Sequence, residues 1–179
     1  MAVMNITYTI AIFSTSSRFV IIYSNMGGSI MNVNVRFVKL RDGAQTPTRG
    51  SEKAAGYDLH ACLPDGIEYI WIAPGMTEKI GTGLAITPPE GYWGAILARS
   101  GLATKQGLRP ANCVGACDED YTGEYIVALH NDSHTARLVR NGDRIAQLTF
   151  LPYLNINFEE VEKLEQTDRG EGGFGSTGK

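Results

Sequence analysis

Residues 78–98 read EKIGTGLAITPPEGYWGAILA, in which two apolar runs are separated by a cluster of turn-forming residues. The cluster, residues 88–91, is Pro-Pro-Glu-Gly, and Pro and Gly interrupt regular structure while favouring a reversal of the chain. Short apolar runs bounded by such turns are typical of antiparallel β-strands. The stretch therefore predicts two strands, 78–87 and 92–98, joined by a turn.

The same pattern continues along most of the chain. Turn formers recur as Pro-Asp-Gly at 64–66, Pro-Gly at 74–75 and Asn-Gly-Asp at 141–143. Further strands are predicted at 33–40, 57–62, 67–72, 111–117, 125–130, 143–150 and 157–161. Only residues 100–106 are predicted to be helical. Many short strands with regular turns indicate an all-β fold of the jelly-roll or barrel type.

Composition narrows the classes of protein and partner. The chain has 179 residues, with 16 Lys and Arg against 19 Asp and Glu, for a formal net charge of −3. The length suits one domain, and the slightly acidic balance argues against a nucleic-acid partner. Hydrophobic residues make up 43% and charged residues 20%, which argues against both disorder and a membrane protein.

The cysteines and histidines give no metal or disulfide signature. Cys62, Cys113 and Cys117 form no CxxC pair, and the chain has three histidines. Cys113 and Cys117 are interpreted as small buried apolar residues, with weak metal ligation as the alternative. Free cysteines predict an intracellular, reducing compartment, the cytoplasm or nucleus.

The two ends of the chain differ from the middle. Residues 1–30 contain one Arg and no acid, and 14–18 interrupts their apolar runs, which argues against a signal peptide and a transmembrane helix. We expect an N-terminal extension that is disordered or untranslated in the native protein, with Met31 opening the functional chain. An organelle transit peptide is the alternative. Residues 170–179 contain five Gly and predict a mobile tail.

The tail also carries two phosphate-loop patterns. Residues 169–179 read RGEGGFGSTGK, which satisfies GxGxxG and then GxxxxGK, but neither pattern lies between a strand and a helix. Closely spaced Gly, Ser and Thr still allow backbone N–H groups to converge on phosphates, while Arg169 and Lys179 add charge. A phosphate-clasping arm, with Phe174 stacking on a base, is therefore one interpretation. A solvated tail without function is the other.

Two internal segments have the residue types of a reactive site. Residues 98–103, ARSGLA, open the predicted helix and suit an anion, or else Ser100 is an ordinary helix N-cap. Residues 112–124, NCVGACDEDYTGE, place four acids and Tyr121 at a polar turn. Such a turn could hold a general base beside a planar ligand, or it could be a plain hairpin tip with Tyr121 as half-buried core.

Taken in order, these segments resemble the five motifs of the trimeric dUTPase family, and the likeness spans residues 31–179. The matching segments are AGYDL at 55–59, RSGLA at 99–103, GACDEDYTGE at 115–124, GDRIAQ at 142–147 and RGEGGFGSTG at 169–178.

The resemblance implies a jelly-roll-like β-clip fold with one short helix, in a homotrimer whose three active sites each draw on three subunits. It implies a β-domain at 31–165 and a C-terminal arm at 166–179. The implied activity is hydrolysis of dUTP to dUMP and pyrophosphate with Mg²⁺. That reaction would limit uracil incorporation into DNA and supply dUMP for dTMP synthesis.

The resemblance also implies a role for each matching residue. Asp118 would be the general base that activates water for attack on the α-phosphorus, and Tyr121 would pack under the deoxyribose. Asn112 and the hairpin backbone at Gly115 would read uracil, and Asp58 would act at the metal through water. The implied phosphate contacts are Arg99, Ser100, Gly101 and Gln147, supported by Arg144, with Arg169, Gly175, Ser176 and Thr177 from the arm. Phe174 would cover the uracil.

Ala116 and Cys117 stand where the family more often has larger aliphatic residues, so we expect looser packing behind Asp118 and an oxidation-sensitive Cys117. The nearest rival enzyme is dCTP deaminase, whose motif has a Glu where this chain has Ala128. A binding or regulatory trimer is the rival from another class. The retained Asp118 argues against it, because a pure binder does not need a water-activating carboxylate.

Overall fold

The computed structural model describes residues 33–173, and nearly all the regular structure in this range is β. One helix is present in this range, α1 (Ser100–Gln106). The strands are β1 (Arg36–Lys39), β2 (Thr48–Arg49), β3 (Tyr57–His60), β4 (Tyr69–Ile72), β5 (Thr77–Thr87), β6 (Tyr92–Leu97), β7 (Leu108–Pro110), β8 (Val114–Cys117), β9 (Glu124–Asn131), β10 (Arg137–Arg140) and β11 (Arg144–Pro152).

The strands form two main sheets and one two-stranded ribbon. The first sheet has the order β1-β5-β9-β7, the second has the order β2-β3-β11-β6-β8, and β10 pairs with β4. All pairings are antiparallel. The predicted all-β class with one short helix is confirmed, and α1 has the predicted bounds. At seven residues, this helix is too short to span a membrane.

A single apolar core draws side chains from both main sheets. Along β9, buried positions alternate with more exposed ones, as expected for a strand with one face inward. Leu59 of β3, Ile80 of β5, Leu129 of β9 and Leu148 of β11 have almost no accessible surface. Their burial fixes the register of each strand, since a shift of one residue would turn these side chains toward water.

The predicted turns are all present, but the strand predictions need corrections. Gly66, Gly75, Gly91 and Gly142 have positive φ, which suits glycine in tight turns. Strands β2, β7 and β10 were not predicted, because two to four residues carry too little alternation to be recognised.

The predicted strand at 157–161 is wrong, since no strand occurs between residue 153 and residue 173. Its apolar residues have no partner strand among the described residues 33–173, and Phe158 is 96% exposed. The predicted strand at 111–117 is shorter than expected and begins at Val114.

Strand β5 is interrupted at Gly81-Thr82-Gly83, where its register with β9 shifts. The hydroxyl of Thr82 donates to the backbone oxygen of Tyr125 at 2.7 Å. Gly83 leaves no room for a side chain, whereas a side chain at Gly81 would need the Glu124 and Arg41 side chains to shift. A Cβ at Gly81 would lie 2.5 Å from Glu124 Oε1, and one at Gly83, where φ is +68°, would lie 2.8 Å from the Cβ of Ala44. The interruption therefore makes room for Glu124 and for the 41–44 segment.

Replacing Gly83 with Ala should destabilise the protein more than replacing Gly43. Both glycines have positive φ, but a Cβ at Gly43 meets no atom within 4 Å. Gly43→Ala should cost about 1 kcal/mol of backbone strain, and Gly83→Ala about 2 to 4 kcal/mol because overpacking is added. Urea unfolding at equal protein concentration measures both. Equal midpoints for the two variants would contradict the packing argument.

Candidate active site

A groove of about 450 Å³ lies where β3, β6 and β11 adjoin the start of α1. Gln147 of β11 is paired with Leu97 of β6 on one side and with Asp58 of β3 on the other. This pairing brings together residues that are far apart in sequence. The predicted site residues that line the groove are Asp58, Arg99, Ser100, Gly101, Arg144 and Gln147.

Asp58 holds the two arginines of the groove. Its Oδ1 accepts a hydrogen bond from Arg99 Nε at 2.9 Å, and its Oδ2 accepts one from Arg144 Nη1 at 3.2 Å. The Asp58 side chain is only 13% exposed, whereas that of Arg144 is 54% exposed. One partly buried carboxylate therefore orients two guanidinium groups, and the three groups together keep a net positive charge that favours an anionic ligand.

Gln147 is fixed from two sides. Its Nε2 donates to the backbone oxygen of Ala98 at 2.9 Å. A Cβ at Gly56 would lie 2.8 Å from Gln147 Oε1, so the glycine allows the amide to lie against the backbone of that loop. The side chain is thus held in place at the groove by contacts that need no ligand.

The start of α1 differs from the ordinary N-cap considered for Ser100. The N-cap is Arg99, which makes no side-chain capping bond, and Ser100 is the first helical residue and is exposed. The alternative that Ser100 is a structural N-cap is therefore wrong. Helix α1 ends at Gln106 and is followed by Gly107, whose φ of 69° suits a glycine C-cap.

The second group of predicted residues lies around the turn 118–123, which connects β8 in one main sheet to β9 in the other. The predicted hairpin is therefore wrong, since β8 pairs with β6 whereas β9 pairs with β5 and β7. Asp118 is exposed, and its backbone oxygen accepts a hydrogen bond from the N–H of Tyr121 at 3.1 Å. The Tyr121 hydroxyl donates to the backbone oxygen of Glu124 at 2.9 Å, and a Cβ at Gly123 would lie 2.5 Å from that hydroxyl oxygen. These contacts hold the aromatic ring in a defined position beside Asp118.

Tyr121 does not belong to the core. The ring is 42% exposed, and its nearest aromatic neighbour is Tyr125, with 6.2 Å between ring centroids. An exposed, fixed ring can support a planar or sugar-like ligand, so the interpretation of Tyr121 as half-buried core is not favoured.

Strand β8, which leads into the turn 118–123, is preceded by a tight turn at Cys113. Its φ is +62°, and the N–H of Val114 donates to the backbone oxygen of Asn112 at 2.6 Å. Gly115 is buried, and a Cβ there would lie 3.1 Å from the Cβ of Ile96 and 3.4 Å from Asn112 Nδ2. The backbone at residue 115 therefore packs against β6 and next to Asn112 with little room for a side chain.

The cysteine predictions are half correct. Cys117 is buried as expected, but Cys113 is exposed because its tight turn directs it away from the core. Burial raises the pKa of the Cys117 thiol to about 11, so it stays protonated near neutral pH, which argues against the expected oxidation sensitivity. Within residues 33–173, no group of three His, Cys, Asp or Glu side chains could hold a metal ion.

The groove and the turn 118–123 lie at opposite ends of β6. Leu97, next to the groove, pairs with Val114, whereas Gly94 pairs with Cys117, the residue before Asp118. The five steps along the chain from Gly94 to Arg99 span roughly 17 Å at about 3.3 Å per residue. One chain therefore brings Asp118 together with Tyr121 but not with the arginines of the groove.

The remaining predicted residues belong to the tail. Arg169 donates from Nε to the backbone oxygen of Gly172 at 2.9 Å, within its own turn. The predicted site residues Phe174, Gly175, Ser176 and Thr177 lie outside the described residues, and so does the predicted extension at 1–30.

One functional neighbour was missed by sequence reasoning. Glu124 begins β9 and accepts hydrogen bonds from Arg41 Nη1 at 2.9 Å and from the N–H of Gly83 at 2.7 Å. Burial favours the neutral acid, but the bonds from Arg41 and Gly83 outweigh it and hold the pKa of Glu124 below its ordinary value. Because Arg41 and Glu124 are 83 residues apart, no local pattern could reveal the pair.

A family model described as dUTPase matches residues 42–178. The chain belongs to the dUTPase family. This membership confirms the predicted enzyme class, a nucleotide hydrolase, over the binding-protein alternative. The deoxyuridine 5′-triphosphate nucleotidohydrolase of Desulfitobacterium hafniense is 44% identical over 149 residues, which cover 83% of this chain and 97% of that protein. The protein of the same name from Citrobacter koseri is 41% identical, over 82% of this chain and 97% of its own length.

Solved dUTPase structures have the same fold. The Staphylococcus bacteriophage 80alpha dUTPase with dUpNHpp is 28% identical, with a TM-score of 0.69, and covers 81% of this chain and 98% of its own. A mutant dUTPase from phage phi11 of S. aureus, described with a structural Mg(II) ion, is 23% identical with a TM-score of 0.66, over 74% of this chain and 99% of its own. At that identity, the likeness concerns the fold alone.

Replacing Glu124 with Gln should destabilise the protein in a pH-dependent way. The lowered pKa means that the charged carboxylate stabilises the fold above the ordinary pKa near 4.5, and that this contribution is lost as pH falls through the folded-state pKa. We expect a loss of about 2 kcal/mol at pH 7 that shrinks below pH ~4. Urea unfolding at both pH values measures it, with Glu78→Gln on the exposed start of β5 as control. An equal loss at both pH values would refute the ionic contribution.

Proposed function

We propose that this dUTPase-family chain hydrolyses dUTP to dUMP and pyrophosphate, with Asp118 as the general base. The observation that carries the proposal is the exposed Asp118 carboxylate, at a turn that also fixes the ring of Tyr121. The relatives named above are deoxyuridine 5′-triphosphate nucleotidohydrolases, which favours this activity over dCTP deamination. By this activity the protein would limit uracil incorporation into DNA and supply dUMP for dTMP synthesis.

In the proposed reaction, Asp118 accepts a proton from a water molecule as the water oxygen attacks the α-phosphorus. The bond between that phosphorus and the oxygen bridging to the β-phosphorus breaks, and pyrophosphate leaves with the bonding electron pair. A positioned carboxylate is suited to this role, since in-line phosphoryl transfer gains mostly from orientation and electrostatics. The exposure of Asp118 leaves room for the water.

The segment 112–121, which includes β8 and the start of the following turn, is proposed to select the nucleoside. Tyr121 would lie beneath the deoxyribose, and its fixed ring would leave no room for a 2′-hydroxyl. Asn112 and the backbone at Gly115 would bind the polar edge of uracil. A Cβ added at Gly115 would lie only 3.1 Å from the Cβ of Ile96, so the backbone has little room to move there. This supports exclusion of thymine by steric clash, because such a backbone cannot move aside for a methyl group.

The groove is proposed to bind the phosphates. Arg99 and Arg144, both held by Asp58, would supply positive charge, while Ser100, Gly101 and Gln147 would donate hydrogen bonds. One carboxylate without a chelating cluster fits Mg²⁺, which commonly takes one or two carboxylates together with substrate phosphates and water. Asp58 would therefore contact Mg²⁺ through water. When bound, the ion offsets the charge of the triphosphate.

A homotrimer with shared sites is proposed to unite the two parts. In one chain, Asp118 and Arg99 are at opposite ends of β6, so a complete site needs the groove of another subunit. The segment after β11 also carries apolar side chains in water, with Leu154 and Leu164 each 81% exposed. The arm at 166–179 would close the site, with Phe174 over the uracil and phosphate contacts from Arg169, Gly175, Ser176 and Thr177.

Replacing Asp118 with Asn should remove the base while keeping the shape of the turn. Turnover of dUTP should fall about 10² to 10⁴-fold, and binding of a nonhydrolysable dUTP analogue should change little. Pyrophosphate release measures turnover, with dTTP, dCTP and UTP as substrate controls. Near-normal turnover by the variant would remove Asp118 from the proposed role.

Shared sites predict that two inactive variants restore activity when they are co-expressed. In mixed trimers of Asp118→Asn and Arg99→Ala, some sites combine two unaltered parts. Such a site takes the turn with Asp118 from an Arg99→Ala chain and the groove with Arg99 from an Asp118→Asn chain. Random mixing gives roughly a quarter of such sites. Recovery of that share of the wild-type rate is expected, with each variant expressed alone as control. No recovery in purified mixed trimers would show that each site lies within one chain.

A further inference from the structure

The turn that carries Asp118 is tied to the end of β11 by one side chain, Glu119. Its Oε2 accepts a hydrogen bond from the N–H of Gly91 at 2.7 Å and another from the hydroxyl of Tyr153 at 2.7 Å. The N–H of Tyr153 in turn donates to the backbone oxygen of Gly91 at 3.1 Å. Three separate segments therefore meet at a single carboxylate oxygen.

This contact lies just beyond the last hydrogen-bonded pair of β6 and β8. The ladder between β6 and β8 ends at the pair Gly94 and Cys117, one residue before Asp118. The Tyr121 hydroxyl bonds to Glu124 at the start of β9. Within residues 33–173, no other side chain of the turn 118–123 apart from Glu119 makes a hydrogen bond. Beyond the ladder, Glu119 thus restrains the turn against the rest of the chain.

We propose that Glu119, held by Tyr153 and Gly91, is a positioning residue that fixes the Asp118 carboxylate for attack by water. The inference rests on the proposed role of Asp118. A carboxylate that accepts two hydrogen bonds has a strong preference for one position. Consistent with this contact, the Tyr153 hydroxyl and the Gly91 N–H lower the pKa of Glu119, so the side chain is charged throughout the neutral range.

The arrangement has a second consequence for the site. Tyr153 is the first residue after β11, where the C-terminal segment leaves the sheet. Because Tyr153 and Asp118 are connected through Glu119, the point at which this segment departs is held at a fixed position relative to the proposed base. Glu119 is adjacent to Asp118 in sequence, so a small shift of its backbone moves the base directly.

Two variants test the contact from its two sides. Glu119→Ala and Tyr153→Phe should each lower kcat about tenfold while KM changes less than twofold, because misplacing a base affects the chemical step more than binding. The double variant should be no slower than the slower single one, since both remove the same contact. Glu119→Gln, which keeps an acceptor oxygen, should recover part of the rate. Asp120→Ala and Tyr92→Phe are matched controls with kcat expected near wild type.

The background of Asp118→Asn separates positioning from other effects. If Glu119 acts through Asp118, adding Glu119→Ala should change the residual rate less than twofold. A tenfold further loss in that background, or wild-type kcat in both single variants, would overturn the inference. Tyr153→Phe keeps the ring and carries the test alone if Glu119→Ala fails to fold. Near-normal turnover by Asp118→Asn itself would instead remove Asp118 from its proposed role as the base, and absence of dUTP hydrolysis by the wild-type protein would refute the proposed function.

Discussion

The double pairing of β6 is the constraint on which the arrangement of the site depends. On one side β6 is hydrogen-bonded to β11, which carries Gln147, and on the other side to β8, which leads into the turn 118–123. Gly94, Ala95 and Ile96 are buried, so the strand cannot slip without exposing apolar surface. The groove and the turn 118–123 are thus held at opposite ends of one rigid strand. The separation of the two parts of the site is a property of the sheet register rather than of loop conformation.

The less exposed carboxylates near the site have hydrogen-bonding partners before any ligand binds. Asp58 is shared by Arg99 and Arg144, and Glu124 is held by Arg41 and the N–H of Gly83. Charged groups that are removed from water need such partners, because an unpaired buried charge is costly. Asp118 is different, since it is exposed and no side-chain partner contacts it within residues 33–173. This contrast separates the carboxylates that are paired within the fold from Asp118, the carboxylate proposed as the general base.

Local patterns in the sequence predicted most of the fold, and long-range contacts account for what they missed. The turns at Gly66, Gly75, Gly91 and Gly142 were predicted because glycine chemistry is local. The short strand β10 was missed because its pairing with β4 depends on residues about 70 positions away. The predicted strand at 157–161 is wrong because alternation alone cannot provide a neighbouring strand.

For the site, the motifs predicted one group of phosphate-contacting residues, most of which line the groove, and a second group, which lies in and next to β8 and the turn 118–123. They did not predict the partners that hold them. Glu119 meets Gly91 and Tyr153, and Arg41 meets Glu124, across sequence distances that no motif spans. The exposure of Cys113 was also missed, since its positive φ follows from a tight turn that the sequence does not mark with glycine. Residue types therefore indicated the chemistry, and tertiary contacts decided the positions.

The apolar residues that follow β11 have a consequence for the life of the protein in a cell. A newly made chain presents Leu154, Phe158 and Leu164 to water before any partner covers them. Exposed apolar segments of this kind are recognised by chaperones and also promote aggregation. If the proposed trimer covers them, the yield of native protein depends on how quickly chains meet, so the rate of synthesis and the supply of chaperones would influence how much of it accumulates.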